Sequence, residues 1–192
     1  MKLNKKEKNS ISETGKNIIW HTMPEDRIKK DCFDAVIEIP KYGKNKYELG
    51  KETGLLKLDR ILYTSTHYPA NYGFIPRTYS QDKDPLDVLV LCNETFDPLV
   101  LVRCKAIGVV KMTDDNAIDE KIIAVCINDP SMNCYTDISE LPEHLFEEIR
   151  HFFTVYKQLE SKDTVVYEIN GAEEARNVIT NSIKAYKDLY LR

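Results

Sequence analysis

No nucleotide-binding glycine loop, no C-x-x-C pair and no long apolar run occurs in the 192-residue chain. Each absence removes a class of function. Without G-x-x-x-x-G-K-[ST] or G-x-G-x-x-G, neither a P-loop nor a dinucleotide site has support, and without G-x-S-x-G neither has a serine-hydrolase elbow. The four histidines, His21, His67, His144 and His151, have no zinc-ligand spacing with one another or with cysteine. No window approaches the roughly eighteen apolar residues of a spanning helix, so no membrane partner is expected. The first sixteen residues are polar and lysine-rich without an apolar core, unlike a secretory signal. The five cysteines are odd in number, and Cys92, Cys104 and Cys126 fall in apolar runs. Buried reduced thiols and a cytoplasmic location are the expectation.

What is present is ordinary in bulk: 42% hydrophobic residues, 30% charged residues and a net charge of −4. A negative sum argues against a nucleic-acid partner, which would call for a basic face. It leaves an anionic small molecule open, because local clustering of Lys and Arg matters more than the sum. The length suits one domain. Residues 1–16, low in apolar content, are expected to form a mobile arm, with residues 17–192 as a single domain. Ile18-Ile19-Trp20 is the expected anchor of the arm on that body.

The unusual stretch is Asp82-Lys83-Asp84-Pro85-Leu86-Asp87, three carboxylates in six residues ahead of the apolar run 88–91. Such acids repel one another unless a cation intervenes, and an all-oxygen cluster suits a hard ion such as Mg²⁺. The hexamer alone is equally a solvated acidic turn, since Asp and Pro both favour turns. It is not an EF-hand: Leu86 falls where an oxygen is needed and Asp87 where Gly is needed. A second acidic turn, Asp114-Asp115, has Asp119 and Lys121 shortly after it. Two acidic turns at the ends of neighbouring strands can converge on one ion. Glu38 and Glu48 lie on the first two expected strands and are candidates for the same rim. Lys46, Arg60, Lys121 and Lys157 are the candidate cations, although any one of them alone reads as solvated. Tyr68, Tyr72 and Tyr156 are candidate donors to an anion, with a core role as the competing reading.

Between residues 35 and 128 the texture is short β-branched strands separated by turn residues, at 35–39, 46–50, 55–61, 87–91, 100–112 and 121–127. Gly43-Lys44-Asn45, Thr53-Gly54, Asn71-Tyr72-Gly73 and residues 113–116 read as turns. The period then changes. Pro142 fits a first helical position, and Leu145, Ile149, Phe152, Phe153, Tyr156 and Leu159 follow at helical spacing. A strand at 164–169 and a second amphipathic helix after Asn170-Gly171 complete the chain. Strands first and helices after predict an α+β protein, a small β-barrel with helices packed on its side.

Taken in order, Ile37-Glu38-Ile39-Pro40, Lys46-Tyr47-Glu48, Asp59-Arg60, Tyr68-Pro69-Ala70-Asn71-Tyr72-Gly73 and the acidic hexamer resemble the soluble family I inorganic pyrophosphatases. The resemblance continues through Lys111-Met112-Thr113-Asp114, Asp119, Lys121 and His151-Phe152-Phe153…Tyr156-Lys157, and covers about residues 35–190. It implies a mainly β, α+β fold: a five-stranded OB-like barrel with flanking C-terminal helices. It also implies hydrolysis of diphosphate to two phosphates with several Mg²⁺ ions per active site and no covalent intermediate. Residue by residue it implies Asp82, Asp87, Asp119 and Asp114 as metal ligands, and Asp84 as the carboxylate that deprotonates the attacking water. Lys46, Arg60, Tyr72, Lys121, Tyr156 and Lys157 would hold the phosphates, with Glu38, Glu48, Tyr68 and Asp115 as support. Lys83 stands where many relatives have Gly, and Asp115 where Glu is common. Chain length points by analogy to a homo-oligomer, a hexamer. The competing class is an OB-type module that binds nucleic acid or another ligand without catalysis.

Overall fold

A computed structural model of the chain describes residues 17–115 and 117–191; the expected arm over residues 1–16 lies outside the described residues. Runs of alternating Val, Ile and Leu form most of the frame. Strands β1 (Cys32–Ile39), β4 (Asn71–Ile75), β5 (Leu86–Leu91), β6 (Leu101–Asp114) and β7 (Ala117–Cys126) pair in the order β1-β4-β5-β7-β6, and β6 returns to β1. The result is a closed five-stranded barrel. All pairings are antiparallel except β5 with β7, which run parallel. The 14 residues of β6 pair with β1 in their first part and, further on, with β8 (Thr164–Gly171), which lies outside the ring. Strands β2 (Asn45–Leu49) and β3 (Leu56–Ile61) form a separate hairpin.

Two helices explain why the strands are apolar without interruption. Val88 and Val90 of β5, with Ile122 and Ala124 of β7, join a core that includes Ala175, Val178 and Ile179 of α3 (Ala172–Tyr190). Their neighbours Leu89, Leu91, Ile123 and Val125 join Ile149, Phe152 and Phe153 of α2 (Glu143–Val155) on the other face. A strand covered on both faces has no solvent side to alternate with. Each such aliphatic side chain contributes about 1.5–3 kcal/mol when fully buried. At the N-terminal end, the short helix α1 (Ile19–Thr22) buries Trp20, and Ile18 lies buried beside it. Among the described residues, no helix is long and apolar enough to cross a membrane.

The structure corrects several expectations. The stretch 71–73 is not a turn but the start of β4, whose five residues are all buried. Its Gly73 is required by close approach, because a Cβ there would lie 1.9 Å from Val36 O on β1. Pro142 occupies the N-cap position, one residue before the helix begins. Leu159 does not continue the face of α2; the helix ends at Val155, and Leu159 lies in a later 3₁₀ turn, 65% exposed. The first acidic turn ends sooner than its apolar run suggested, because β5 starts at Leu86, and β6 extends through Asp114.

Candidate functional site

The parallel pairing of β5 and β7 sets Asp87 opposite Lys121 in register. That one pairing organises the floor of a cleft of about 800 Å³ at one end of the barrel. Lys121 is 3% exposed, and its Nζ donates to Asp87 Oδ2 at 2.7 Å, to Asp119 Oδ1 at 2.9 Å and to the Tyr72 hydroxyl at 3.1 Å. The Tyr72 hydroxyl in turn donates to Asp87. Burial opposes the charge on Lys121, but Asp119 and Asp87 outweigh it and hold the ammonium well above its usual range. Burial pushes the Tyr72 and Tyr156 phenols up, so both stay protonated donors at any ordinary pH.

The second acidic turn supplies the opposite wall. Lys157, just past the end of α2, pairs with Asp114 Oδ2, and the Tyr156 hydroxyl approaches the same oxygen at 3.5 Å. Asp114 Oδ1 is buried and has no partner. Desolvation lowers the Lys157 ammonium despite its pairing with Asp114. Asp119, shielded from water and close to Asp87 and Asp114, has its carboxyl raised even though Lys121 favours ionisation. On the rim, Asp82 is exposed at the loop surface, yet the surrounding protein and then the Asp87 charge push it up to about 6. Its Oδ1 accepts from the Asp84 backbone N–H at 3.0 Å, and Asp84 itself is half-buried.

The hairpin closes the third side. Lys46 bonds Glu48 along β2 and Asp59 on β3 at 3.3 Å. Burial works against its charge, but Glu48 and Asp59 outweigh it and raise it. Arg60 pairs in register with Lys46, and its Nη1 is held by Glu160 at 3.0 Å. Its guanidinium does not line the cleft itself but stands close enough to Lys157 and Lys46 to disfavour their charges. Tyr68 is fully buried against Tyr72 and Phe152. Asp115 turns away: it is exposed at φ 48°, with Lys162 at 3.7 Å, and takes no part in the cleft lining. Three participants had no sequence signal for a place in the site. Lys51 and Trp20 line the cleft, and Glu160 anchors Arg60. A lysine in a glycine-bounded turn and a glutamate after a helix both read as solvated.

Glu38 is buried, and its Oε1 accepts from the Leu49 N–H at 2.7 Å, tying the hairpin to β1. Burial, reinforced by the Asp87 charge, pushes its carboxyl from 4.5 to about 8. A raised folded value means the native state holds the proton more tightly. The resulting stability is full below about 4.5 and is lost as pH rises through about 8. Glu38→Gln keeps the acceptor and removes the proton. In metal-free protein, the urea midpoint of the variant relative to the parent should therefore rise between pH 6 and pH 9, by on the order of a few kcal/mol in unfolding free energy. Parallel pH curves for the two proteins would contradict this.

The donor set has a definite chemical preference. Among the described residues, no trio of carboxylate, imidazole or thiol side chains surrounds a single point, because lysines are interleaved between the acids. The acids are oxygen donors throughout, Asp114 Oδ1 is buried without a hydrogen-bond partner, and the Asp82 and Asp119 carboxyls are raised first by burial and then by neighbouring carboxylates. These features fit hard divalent cations, which take oxygen ligands and relieve such repulsion. The facing Lys and Tyr donors, with the Arg60 charge behind them, fit a compact polyanion.

Comparison with known proteins points the same way. A family model described as inorganic pyrophosphatase matches residues 35–187. Soluble inorganic pyrophosphatase 2 of Chlamydomonas reinhardtii is 47% identical over 172 residues, 90% of this chain and 90% of that protein. Soluble inorganic pyrophosphatase PPA1 of Solanum tuberosum is 48% identical over 90% of this chain and 82% of its own length. Among solved structures, the Helicobacter pylori inorganic pyrophosphatase superposes with a TM-score of 0.80 at 41% identity, covering 83% of this chain and 96% of that one. With the motif set, the barrel and the cleft all on the matched segment, the chain belongs to the inorganic pyrophosphatase family.

Proposed function

We propose that Asp84 is the base that prepares water for Mg²⁺-dependent hydrolysis of diphosphate in this cleft. As a member of a metal-dependent family of enzymes, the chain is an inorganic diphosphatase, splitting diphosphate into two phosphates. The observation that carries the residue assignments is the division of one cleft into an acidic rim and floor facing cationic walls. Asp82, Asp87, Asp119 and Asp114 are read as the residues that hold the cations. When bound, Mg²⁺ would lower the pKa of water and offset the substrate's charge.

The protein's own groups do the rest. Lys46, Lys121, Lys157 and Arg60 supply positive charge for the phosphate oxygens, and Tyr72 and Tyr156 supply hydroxyl donors, fixing the diphosphate for attack. Asp84, half-buried beside the rim, accepts a proton from water as its oxygen attacks phosphorus. The departing phosphate is released without any bond to the protein. Glu38, Glu48 and Tyr68 hold this machinery in place, and Asp115 is assigned a supporting role at the turn only. The assembly is read as a homo-oligomer, a hexamer on grounds of length, and its location as cytoplasmic. Light scattering on purified protein would measure the first.

Phosphate release from diphosphate should be rapid with millimolar Mg²⁺ and fall to background after chelation, with recovery on adding the ion back. No release at micromolar enzyme would overturn the reading. The binding-module alternative predicts affinity for single-stranded oligonucleotide independent of metal, which the acidic cleft disfavours.

A further inference from the structure

One cation that lines the cleft has no part in the chemistry above. Lys51 stands at the tip of the hairpin between β2 and β3, and its ammonium forms an ion pair with Asp84 Oδ1. The same nitrogen lies 5.6 Å from the centre of the Trp20 ring. Among the described residues, no other group pairs with the Asp84 carboxylate.

The tip is held on both sides. Gly50 N–H donates to Leu55 O at 2.8 Å, and Gly54 N–H donates to Gly50 O at 2.7 Å. Gly54 has φ +71°, and a Cβ there would come within 3.3 Å of Ile18 Cγ2. Beneath the tip, Ile18 and Trp20 are buried, and Trp20 Nε1 donates to Thr78 O at 2.9 Å. Thr78 also accepts at its hydroxyl from Leu86 N–H at 2.8 Å, just beyond Asp84 in the chain. The Trp20 ring therefore rests on the base of the acidic loop and carries Lys51 above it. Ile18 and Trp20 both precede the segment matched to the family.

We infer that Lys51 is a positioning residue, whose ammonium fixes the orientation of the Asp84 carboxylate while Trp20 supports it from below. The inference rests on the assignment of Asp84 as the base. Asp84 is only half-buried, so without a fixed partner its carboxylate would sample several rotamers, and only some aim an oxygen at the attacking water. The pair is half-exposed on both sides and contributes little to stability. Its removal should therefore register in the rate and not in the melting curve.

The test is Lys51→Met, Lys51→Arg, Asp84→Asn and the Met/Asn double variant, each purified as the full chain. Lys51→Met should lower kcat about five- to twentyfold with KM changed less than about twofold, and Lys51→Arg should recover most of the loss. In the Asp84→Asn background, Lys51→Met should cost nothing further, the non-additivity expected of two residues acting as one. Trp20 is the single tryptophan, so its emission reports the ammonium directly. Lys51→Met and Asp84→Asn should each change that emission without substrate or metal, and by a similar amount. Parental kcat in Lys51→Met, or the same fold-loss in both backgrounds, would overturn the inference. A raised KM with kcat intact would also overturn it, by making Lys51 a substrate clamp. If Asp84→Asn keeps its rate, the base assignment falls and the kinetic role of Lys51 falls with it. Matched emission changes would then leave the ion pair as a contact only.

Discussion

Asp84→Asn is expected to lower kcat at least a hundredfold while the fold and substrate affinity survive, the range in which loss of a general base usually falls. The local structure justifies expecting a clean effect. Asp84 supports its loop through the backbone, with its N–H on Asp82 Oδ1 and its carbonyl accepting from Ser80 N–H at 2.8 Å. Asparagine keeps both contacts. It is nearly isosteric, sits on a half-exposed loop and disturbs no buried packing. What it loses is the charge that pairs with Lys51 and, on the proposed role, the capacity to accept a proton as water attacks. Steady-state phosphate release, with thermal unfolding as the control for folding, measures both halves. A variant within about threefold of the parent would end the assignment of Asp84 as base, and the choice would pass to the other cleft carboxylates.

The second large effect is on stability. Lys121→Met should destabilise metal-free protein by about 3–5 kcal/mol, because breaking a buried charge cluster leaves its partners uncompensated. Here the partners are two carboxylates, Asp87 and Asp119, held by one ammonium. In a protein of this size that loss corresponds to roughly 10 °C in Tm. The sharper expectation concerns magnesium. A divalent cation near the same carboxylates replaces part of the missing charge, so millimolar Mg²⁺ should narrow the gap between variant and parent, and chelation should widen it. Loss of less than about 1 kcal/mol in both conditions would show that Lys121 is not the charge hub its bonds describe. Diphosphate hydrolysis should fall in either case if Lys121 holds a phosphate as proposed.

Much of this site can be read in the chain, and the legible part has a physical reason. Acids packed as densely as 82–87 stand out because they are costly without a counter-charge, and lysines at 46, 121 and 157 stand out only once those acids require an answer. The β-strands were legible where Val, Ile and Leu recur, as in β5 and β7. The stretch 71–73 misled because Asn and Gly are turn formers in isolation. In the barrel, Asn71 is fully buried, with its Oδ1 accepting from the backbone of Lys41 and Phe96, and Gly73 makes room for β1. Tertiary demand overrides local preference there. Leu159 misled for the converse reason: helical spacing persists in the sequence for one turn after Val155, where the backbone has already left the helix to place Tyr156 and Lys157 at the cleft. Lys51 and Glu160 were invisible, and Trp20 was legible only as an anchor on the body, because their roles at the cleft depend on partners 33, 100 and 58 residues away, at Asp84, Arg60 and Thr78. No spacing rule reaches that far.

The pairing of β1 with β6, which closes the barrel, joins Val36 to Leu101 and Cys32 to Lys105. Such distant partners must meet before their contacts repay the loop entropy, so this chain belongs among slow folders, on the millisecond-to-second scale. While the chain is open, the acids of 82–87 and of 114–119 lie on separate segments, screened by water and salt. Asp87 and Asp119 meet only where β7 lies beside β5, and the same pairing places Lys121 between them. For Asp87 and Asp119, repulsion and its remedy therefore come from a single strand pairing.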